Sequence, residues 1–315
     1  MSITASVVIP TWRRASWLER CLAALTVQTR PPDEVLVIGR AEDSAARAVV
    51  TQHGALLTCP LLWLEVVTAG HVPPIRRGIE RTSSAIVSFL DDDTEPDPEW
   101  LEALLRLFDD QTIACVGGRV VTPGREPIPT AHAGRLRWYG KYVGNLGCLE
   151  TVVPVDVDGL PEGNCAWRVD VLRRLEFSPV LSLDDSLHYG LDLCLQAKQI
   201  GYRVVYTSEA RVRHHLAPRD GAVSRADAVT RSFILGRNLT YVGLKRYSIG
   251  QRIAFLFWWF AVGERQSYGA LKAIWDLPQG RAKVLRLLKS AFTGRLAGIQ
   301  AWVAQPKNVG SSVRR

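Results

Sequence analysis

Along the first two hundred positions, short apolar runs alternate with segments of helical period. Val7-Val8-Ile9, residues 34–38, residues 62–67 and residues 85–90 read as strands; residues 15–25, 45–53 and 74–81 between them read as helices. That rhythm predicts βαβ units and a parallel sheet. A further helix is expected near 99–108 and a strand over 113–121. Another helix over 191–200, ended by Gly201, should lead into a strand over 202–207. Residues 122–160, rich in Gly, Pro and Tyr, read as loops and short strands.

Past about residue 225 the pattern changes. Residues 253–262 are ten apolar residues in a row, flanked by Lys245, Arg246 and Arg252. A membrane-spanning helix needs roughly twenty, so two readings stay open: a helix lying in the bilayer interface, or a buried helix of a helical cap. Farther on, Arg281, Lys283, Arg286 and Lys289 are interleaved with Val284, Leu285, Leu287 and Leu288, which gives a basic amphipathic helix.

Charge follows the same division. From Lys245 onward there are 13 Lys and Arg against only Glu264 and Asp276, a local charge of +11, which leaves about −3 for the rest of the +8 total. Basic tails meet nucleic acid or anionic membrane. The apolar density here favours membrane, and no segment resembles a nucleic-acid module. Residues 1–224 are therefore expected to form an α/β domain and residues 225–315 a helical extension that associates with membrane. The chain enters its first strand without the basic start and cleavage site of a secretory signal, and its six cysteines form no close pair in sequence. Buried free thiols in a reducing, cytoplasmic compartment are expected, with attachment to the inner face of the plasma membrane.

Three aspartates, Asp91-Asp92-Asp93, stand at the end of the run Ala85-Ile86-Val87-Ser88-Phe89-Leu90. Ligands of open α/β sheets bind at the carboxyl ends of strands. Adjacent carboxylates repel one another, and a hard divalent cation such as Mn²⁺ or Mg²⁺ is the natural way to hold them together. The plainer alternative is an acidic, solvated turn, with Thr94, Asp97 or Pro98 opening the helix that carries Trp100.

Several ordered motifs over residues 5–220 resemble the family 2 glycosyltransferases of GT-A fold. They are Ser6-Val7-Val8-Ile9-Pro10-Thr11-Trp12-Arg13-Arg14, Phe89-Leu90-Asp91-Asp92-Asp93, Gly163-Asn164-Cys165-Ala166-Trp167-Arg168, Leu191-Asp192-Leu193-Cys194-Leu195 and Ala210-Arg211-Val212-Arg213-His214. The resemblance implies a Rossmann-like, mostly parallel sheet flanked by helices, a nucleotide-diphospho-sugar donor, and inverting transfer to a hydroxyl of a lipid-linked or cell-surface glycan. It implies a metal held by Asp93 and His214. It also implies donor contacts from Pro10, Thr11, Arg13, Arg40, Arg77, Asp91, Asp92 and Arg219, and acceptor contacts from Asn164 and Trp167.

Two departures matter. Many relatives carry a Glu-Asp pair where this chain has Tyr189-Gly190, which leaves Asp192 as the expected base and Asp185 as the next candidate. The acidic nucleobase contact after the second strand is replaced by Gly39-Arg40-Ala41-Glu42-Asp43, so Arg40 is expected to stack on the base or pair with a phosphate. A catalytically impaired scaffold of the same fold stays open as an alternative. A nucleotidyltransferase stands further off, because Thr11-Trp12-Arg13-Arg14 lacks the glycines of a phosphate loop. Homo-oligomerisation is left open.

Overall fold

The computed structural model describes residues 3–124, 129–183, 187–218 and 227–305. They form two compact units, Met1–Arg137 with Lys141–Gly221, and Trp138–Gly140 with Ala222–Arg315.

The first unit is built on a nine-stranded sheet. Strands β1 (Ala5–Pro10), β2 (Glu34–Gly39), β3 (Leu61–Glu65) and β4 (Ile86–Leu90) run parallel in the order β3-β2-β1-β4. Val7, Val8, Val35, Val37, Ile86 and Phe89 are buried on both faces, as in a parallel sheet covered by helices. Three of those helices are α1 (Ala15–Leu25), α2 (Ser44–His53) and α3 (Val72–Arg81). Helix α1 buries Leu18, Cys21, Leu22 and Leu25, one apolar stripe of helical period. Asp43 caps α2 by accepting the Ala46 N–H at 3.3 Å. Prolines open α3, where a missing N–H breaks no helix bond.

Beyond β4 the sheet becomes mixed. The chain runs through β5 (Thr94–Pro96), α4 (Trp100–Leu105), β6 (Ile113–Val121), the small pair β7 (Arg135–Leu136) and β8 (Tyr142–Val143), and β9 (Val155–Asp156). It continues through β10 (Asn164–Arg168), α5 (Val169–Leu172), α6 (Tyr189–Gln199) and β11 (Arg203–His214). Strand β10 lies antiparallel between β4 and β6.

The helix expected near 99–108 begins at Trp100; in place of the plainer alternative, in which Thr94, Asp97 or Pro98 opens that helix, Thr94 opens a strand. The cause is β11, which continues seven residues past the expected end, with Ala210 and Val212 buried and Arg211 and Arg213 exposed. Its far end pairs antiparallel with β5, with His214 opposite Thr94. That pairing carries His214 to the carboxyl end of β4.

The second unit is helical: α7 (Ala228–Arg246), α8 (Ile249–Ala261), α9 (Ala270–Asp276) and α10 (Arg281–Val303), with the two-residue strands β12 (Gly263–Glu264) and β13 (Ser267–Tyr268). Helices α7 and α10 meet backbone to backbone. A Cβ on Gly294 would stand 2.2 Å from the Phe233 carbonyl oxygen, so only glycine fits at that crossing. Arg295 is fully buried beside the rings of Trp259, Phe292 and Phe260, at 4.4, 5.2 and 5.4 Å from their centroids.

Helix α8 has two faces. Phe255 and Trp259 are buried, whereas Ile249, Ile253 and Phe257, each four residues on from the last, are exposed. On α9, Leu271, Ile274 and Trp275 are exposed in the same manner. Along α10, Val284 and Leu287 face inward, and Arg281, Lys283, Arg286 and Lys289 are all exposed. Among the described residues no helix is long and apolar enough to cross a membrane.

Candidate active site

The carboxyl ends of β1 and β4 converge on a buried charged cluster. Thr11, just past β1, donates its hydroxyl to Asp92 Oδ2 at 2.8 Å. Arg14 reaches across from the loop before α1, its Nη1 lying 2.8 Å from Asp92 Oδ1 and 3.2 Å from Asp93 Oδ2. The same guanidinium donates to the carbonyl oxygens of Ala217 and Pro218 at 3.0 and 3.1 Å. Ala217 returns its N–H to Asp93 Oδ2 at 2.9 Å, and His215 N–H bonds the Asp93 carbonyl at 3.0 Å. The segment after β11 is thereby laced to the aspartates.

Asp93 Oδ1 and His214 Nε2 face each other at 3.2 Å, yet both are buried and neither closes a directed hydrogen bond. Asp91, Asp93 and His214 each offer a ligand atom, all within 4.8 Å of one another. Two buried, unsatisfied ligand atoms aimed at one point, with a further carboxylate beside them, fit a divalent cation with oxygen and imidazole ligands. Lining this position with glycine also matters. The Asp91 carboxylate lies directly over Gly163, where a Cβ would stand 2.2 Å from Oδ2.

The electrostatics divide the pair. Burial pushes Asp92 up to about 6 against the pull of Arg14. Burial opposes ionisation of Asp93 as well, but contact with His214, the charges of His214 and Arg14, and the Ala217 N–H together hold it down at about 2.

On the expected donor side, the Arg40 guanidinium lies 4.2 Å and the Arg13 guanidinium 4.9 Å from the Trp12 ring. Arg13 holds a left-handed backbone (φ 54°) and gives its N–H to Asp43 at 2.5 Å, which ties the loop after β1 to the loop after β2. Pro10 ends β1 opposite Ile38. Arg77 stands exposed on α3, and no hydrogen bond or ion pair joins it to the cluster. Arg219 and Asp185 lie outside the described residues.

Three expected site residues lie in the interior. Asn164 is fully buried, accepts the Trp100 indole N–H at 2.7 Å and donates to the carbonyls of Arg119 and Ala210 at 3.0 and 3.1 Å. Its amide braces α4, β6 and β11 and does not face an acceptor. Trp167 is buried in mid-sheet between Val87 and Cys115. Asp192 is 1% exposed and accepts from Gln196 Nε2 at 2.9 Å, while Gln196 also bonds the backbone of Glu176. Asp192 is an interior brace, poorly placed to meet an acceptor hydroxyl. Arg14, by contrast, was not singled out among the candidates. Its signal is its place, second of the two arginines that follow Thr11-Trp12.

A mostly parallel α/β sheet flanked by helices, with carboxylates and a histidine gathered at its carboxyl edge, is the GT-A architecture. Residues 6–160 match the family model described as Glycosyl transferase family 2, and the chain belongs to that family. It is 32% identical over 117 residues to glycosyltransferase AglE of Haloferax volcanii, an alignment spanning 36% of this chain and 38% of that one. It is 28% identical over 218 residues to the pre-mycofactocin glycosyltransferase of Mycobacterium tuberculosis, spanning 66% of this chain and 42% of the relative. The chain thus covers less than half the length of these two relatives. Among solved structures, the mannosyltransferase PcManGT from Pyrobaculum calidifontis, in complex with GDP-Man and Mn²⁺, shares the fold. Its TM-score is 0.58 at 18% identity, covering 96% of this chain and 86% of that one.

Proposed function

We propose that this protein transfers a sugar, with inversion, from a nucleoside-diphosphate sugar to a hydroxyl of a lipid-linked or cell-surface glycan. The observation that carries the reading is the convergence of Asp91, Asp93 and His214 beneath Arg14 at the end of the sheet. Asp93 and His214 would hold Mn²⁺ or Mg²⁺, which when bound neutralises charge on a diphosphate leaving group. Arg40 and Arg13, both against the Trp12 ring, offer cationic contacts for the nucleobase or a phosphate. Thr11 and Asp92 stand beside it, placed for the ribose or the sugar. Arg14 keeps Asp92 and Asp93 paired until donor and cation arrive.

The membrane surface is the proposed workplace. Exposed Ile249, Ile253 and Phe257 on α8, and Leu271, Ile274 and Trp275 on α9, are apolar stripes on short helices in a unit whose exposed basic residues suit anionic lipid. The test is release of nucleoside diphosphate from a panel of UDP-, GDP- and dTDP-sugars with Mn²⁺ and again with EDTA. Release that requires Mn²⁺ is expected. Wild-type protein that turns over no donor would leave the impaired-scaffold alternative standing.

A further inference from the structure

Among the described residues the glycosyl-transfer reading lacks an open base on α6: Asp192, in its first turn, is an interior brace, and Tyr189-Gly190 stand where an acid is expected. We propose that Glu162 takes this role, its carboxylate removing the proton of the acceptor hydroxyl; the assignment rests on the glycosyl-transfer reading above.

Three placements support it. Strand β10 runs antiparallel to β4 with Asn164 opposite Leu90, so the chain at Glu162-Gly163 passes beside Asp91-Asp92. The Asp91 carboxylate rests on Gly163 itself. Glu162 is therefore next in sequence to the residue on which the cluster sits.

Second, Glu162 Oε1 accepts the Gly190 N–H at 2.9 Å, in the first turn of α6. A Cβ on Gly190 would stand 2.6 Å from Glu162 Cγ. The glycine that removes an acid from the helix is thus also the one that admits a carboxylate arriving from the β10 side. Glu162 is half-buried, whereas Asp192 is closed off.

Third, Glu162 lines a small, mostly apolar cavity with Phe89, Leu160, Trp167 and Tyr189, so its carboxylate stands at an opening beside α6 and is not closed off like Asp192. The Tyr189 hydroxyl is pushed well up, first by burial and then by the negative charges of Glu162 and Asp91 among others.

In the step proposed, the acceptor oxygen bonds to the anomeric carbon as its proton passes to Glu162. The bond from that carbon to the diphosphate oxygen breaks, and the nucleoside diphosphate leaves with the electron pair. Glu162→Gln keeps an oxygen for the Gly190 N–H, so the fold should survive.

The experiment uses the full chain with Mn²⁺ and whichever nucleotide sugar of the panel wild type hydrolyses fastest. Glu162→Gln should retain its melting temperature and its thermal shift with UDP or GDP plus Mn²⁺, while turnover falls by about 10²–10⁴. Azide is a nucleophile with no proton to lose. Adding sodium azide to Glu162→Ala should restore nucleoside-diphosphate release and give a glycosyl azide, which a bracing role would not produce. Glu162→Gln turnover within about threefold of wild type would overturn the assignment. So would a loss in Glu162→Ala that azide does not relieve, or a crippled Asp185→Asn beside an active Glu162→Gln. A wild type that hydrolyses no donor would overturn the glycosyl-transfer reading itself, and this assignment with it.

Discussion

Two buried arginines show how differently the two units treat charge. Arg14 is matched by carboxylates, Asp92 at 2.8 Å and Asp93 at 3.2 Å, and by two backbone carbonyls. Arg295 has no carboxylate within ion-pair distance among the described residues. It donates to the Ser267 carbonyl at 2.9 Å, leaves Nε and Nη1 without a hydrogen bond, and rests against three aromatic rings. Burial pushes its guanidinium down toward about 9, against the pull of Glu264. Ion pairs can be exchanged for a cation and an anionic substrate, but a ring cage cannot. The contrast separates a site built to change partners from a core built to stay closed.

The largest effect expected from breaking this contrast is on turnover. Asp93→Asn removes a charged ligand without changing shape and should lower Mn²⁺-dependent donor turnover on the order of 10²–10³, read as nucleoside-diphosphate release. Wild-type turnover in that variant would remove Asp93 from the metal site.

Stability comes next. Arg14→Met strands two buried carboxylates and should cost about 3–5 kcal/mol in denaturant unfolding without metal. Saturating Mn²⁺ should give back part of that loss. Arg295→Met keeps volume and removes a poorly paired charge, so a change under about 1.5 kcal/mol is expected, with no response to Mn²⁺. Equal costs, or equal responses to Mn²⁺, would erase the distinction between the two sites.

A smaller effect is expected with pH. The folded pKa of Asp92 is raised from 3.8 to about 6, so the native state binds the extra proton. Its contribution to stability is therefore full below about 4 and is lost as pH rises through about 6. Asp93 has the opposite sign, with stability present above 3.8 and lost as pH falls toward about 2. In metal-free protein, Asp92→Asn should flatten the decline between pH 4 and 6. A decline that persists unchanged would assign it to another group.

Much of this was legible in the chain, and the failures have physical causes. Strand and helix period located the βαβ half, because buried parallel strands need unbroken apolar runs, as in Ile86–Leu90. The aspartates announced themselves by crowding like charges at a strand end. The length of β11 was hidden, since the apolar run ends at Thr207 and the alternation of Ala210 and Val212 with Arg211 and Arg213 becomes a strand only on pairing with β5 and β6. Asn164 sits in a motif, but sequence does not show that Trp100, Arg119 and Ala210 consume its amide. Glu162 and Gly190 are 28 residues apart, and only the fold joins them. In the basic tail the apolar run forms α8, buried at Phe255 and Trp259 and exposed at Ile253 and Phe257, a split that the unbroken apolar run does not display in sequence.

The smallest effect on stability should come from that outer face. Phe257→Ser with Trp275→Ser alters exposed positions and should shift unfolding by only about 0.5 kcal/mol each. Co-sedimentation with anionic vesicles should nevertheless fall by about tenfold, since apolar contact with the headgroup boundary is lost. Unchanged sedimentation, or binding indifferent to lipid charge and salt, would point to an interface between copies of the chain.

The central claim is that Asp93 and His214 together hold a divalent cation that the donor's diphosphate shares. It is tested most directly by titrating Mn²⁺ into the full chain in the presence of UDP or GDP, with free Mn²⁺ followed by electron paramagnetic resonance. Wild type should take up one Mn²⁺ per chain, more tightly with nucleotide than without. Asp93→Asn and His214→Ala, each still folded, should lose that uptake. Uptake undiminished in both variants, or in wild type no tighter with nucleotide than without, would contradict it.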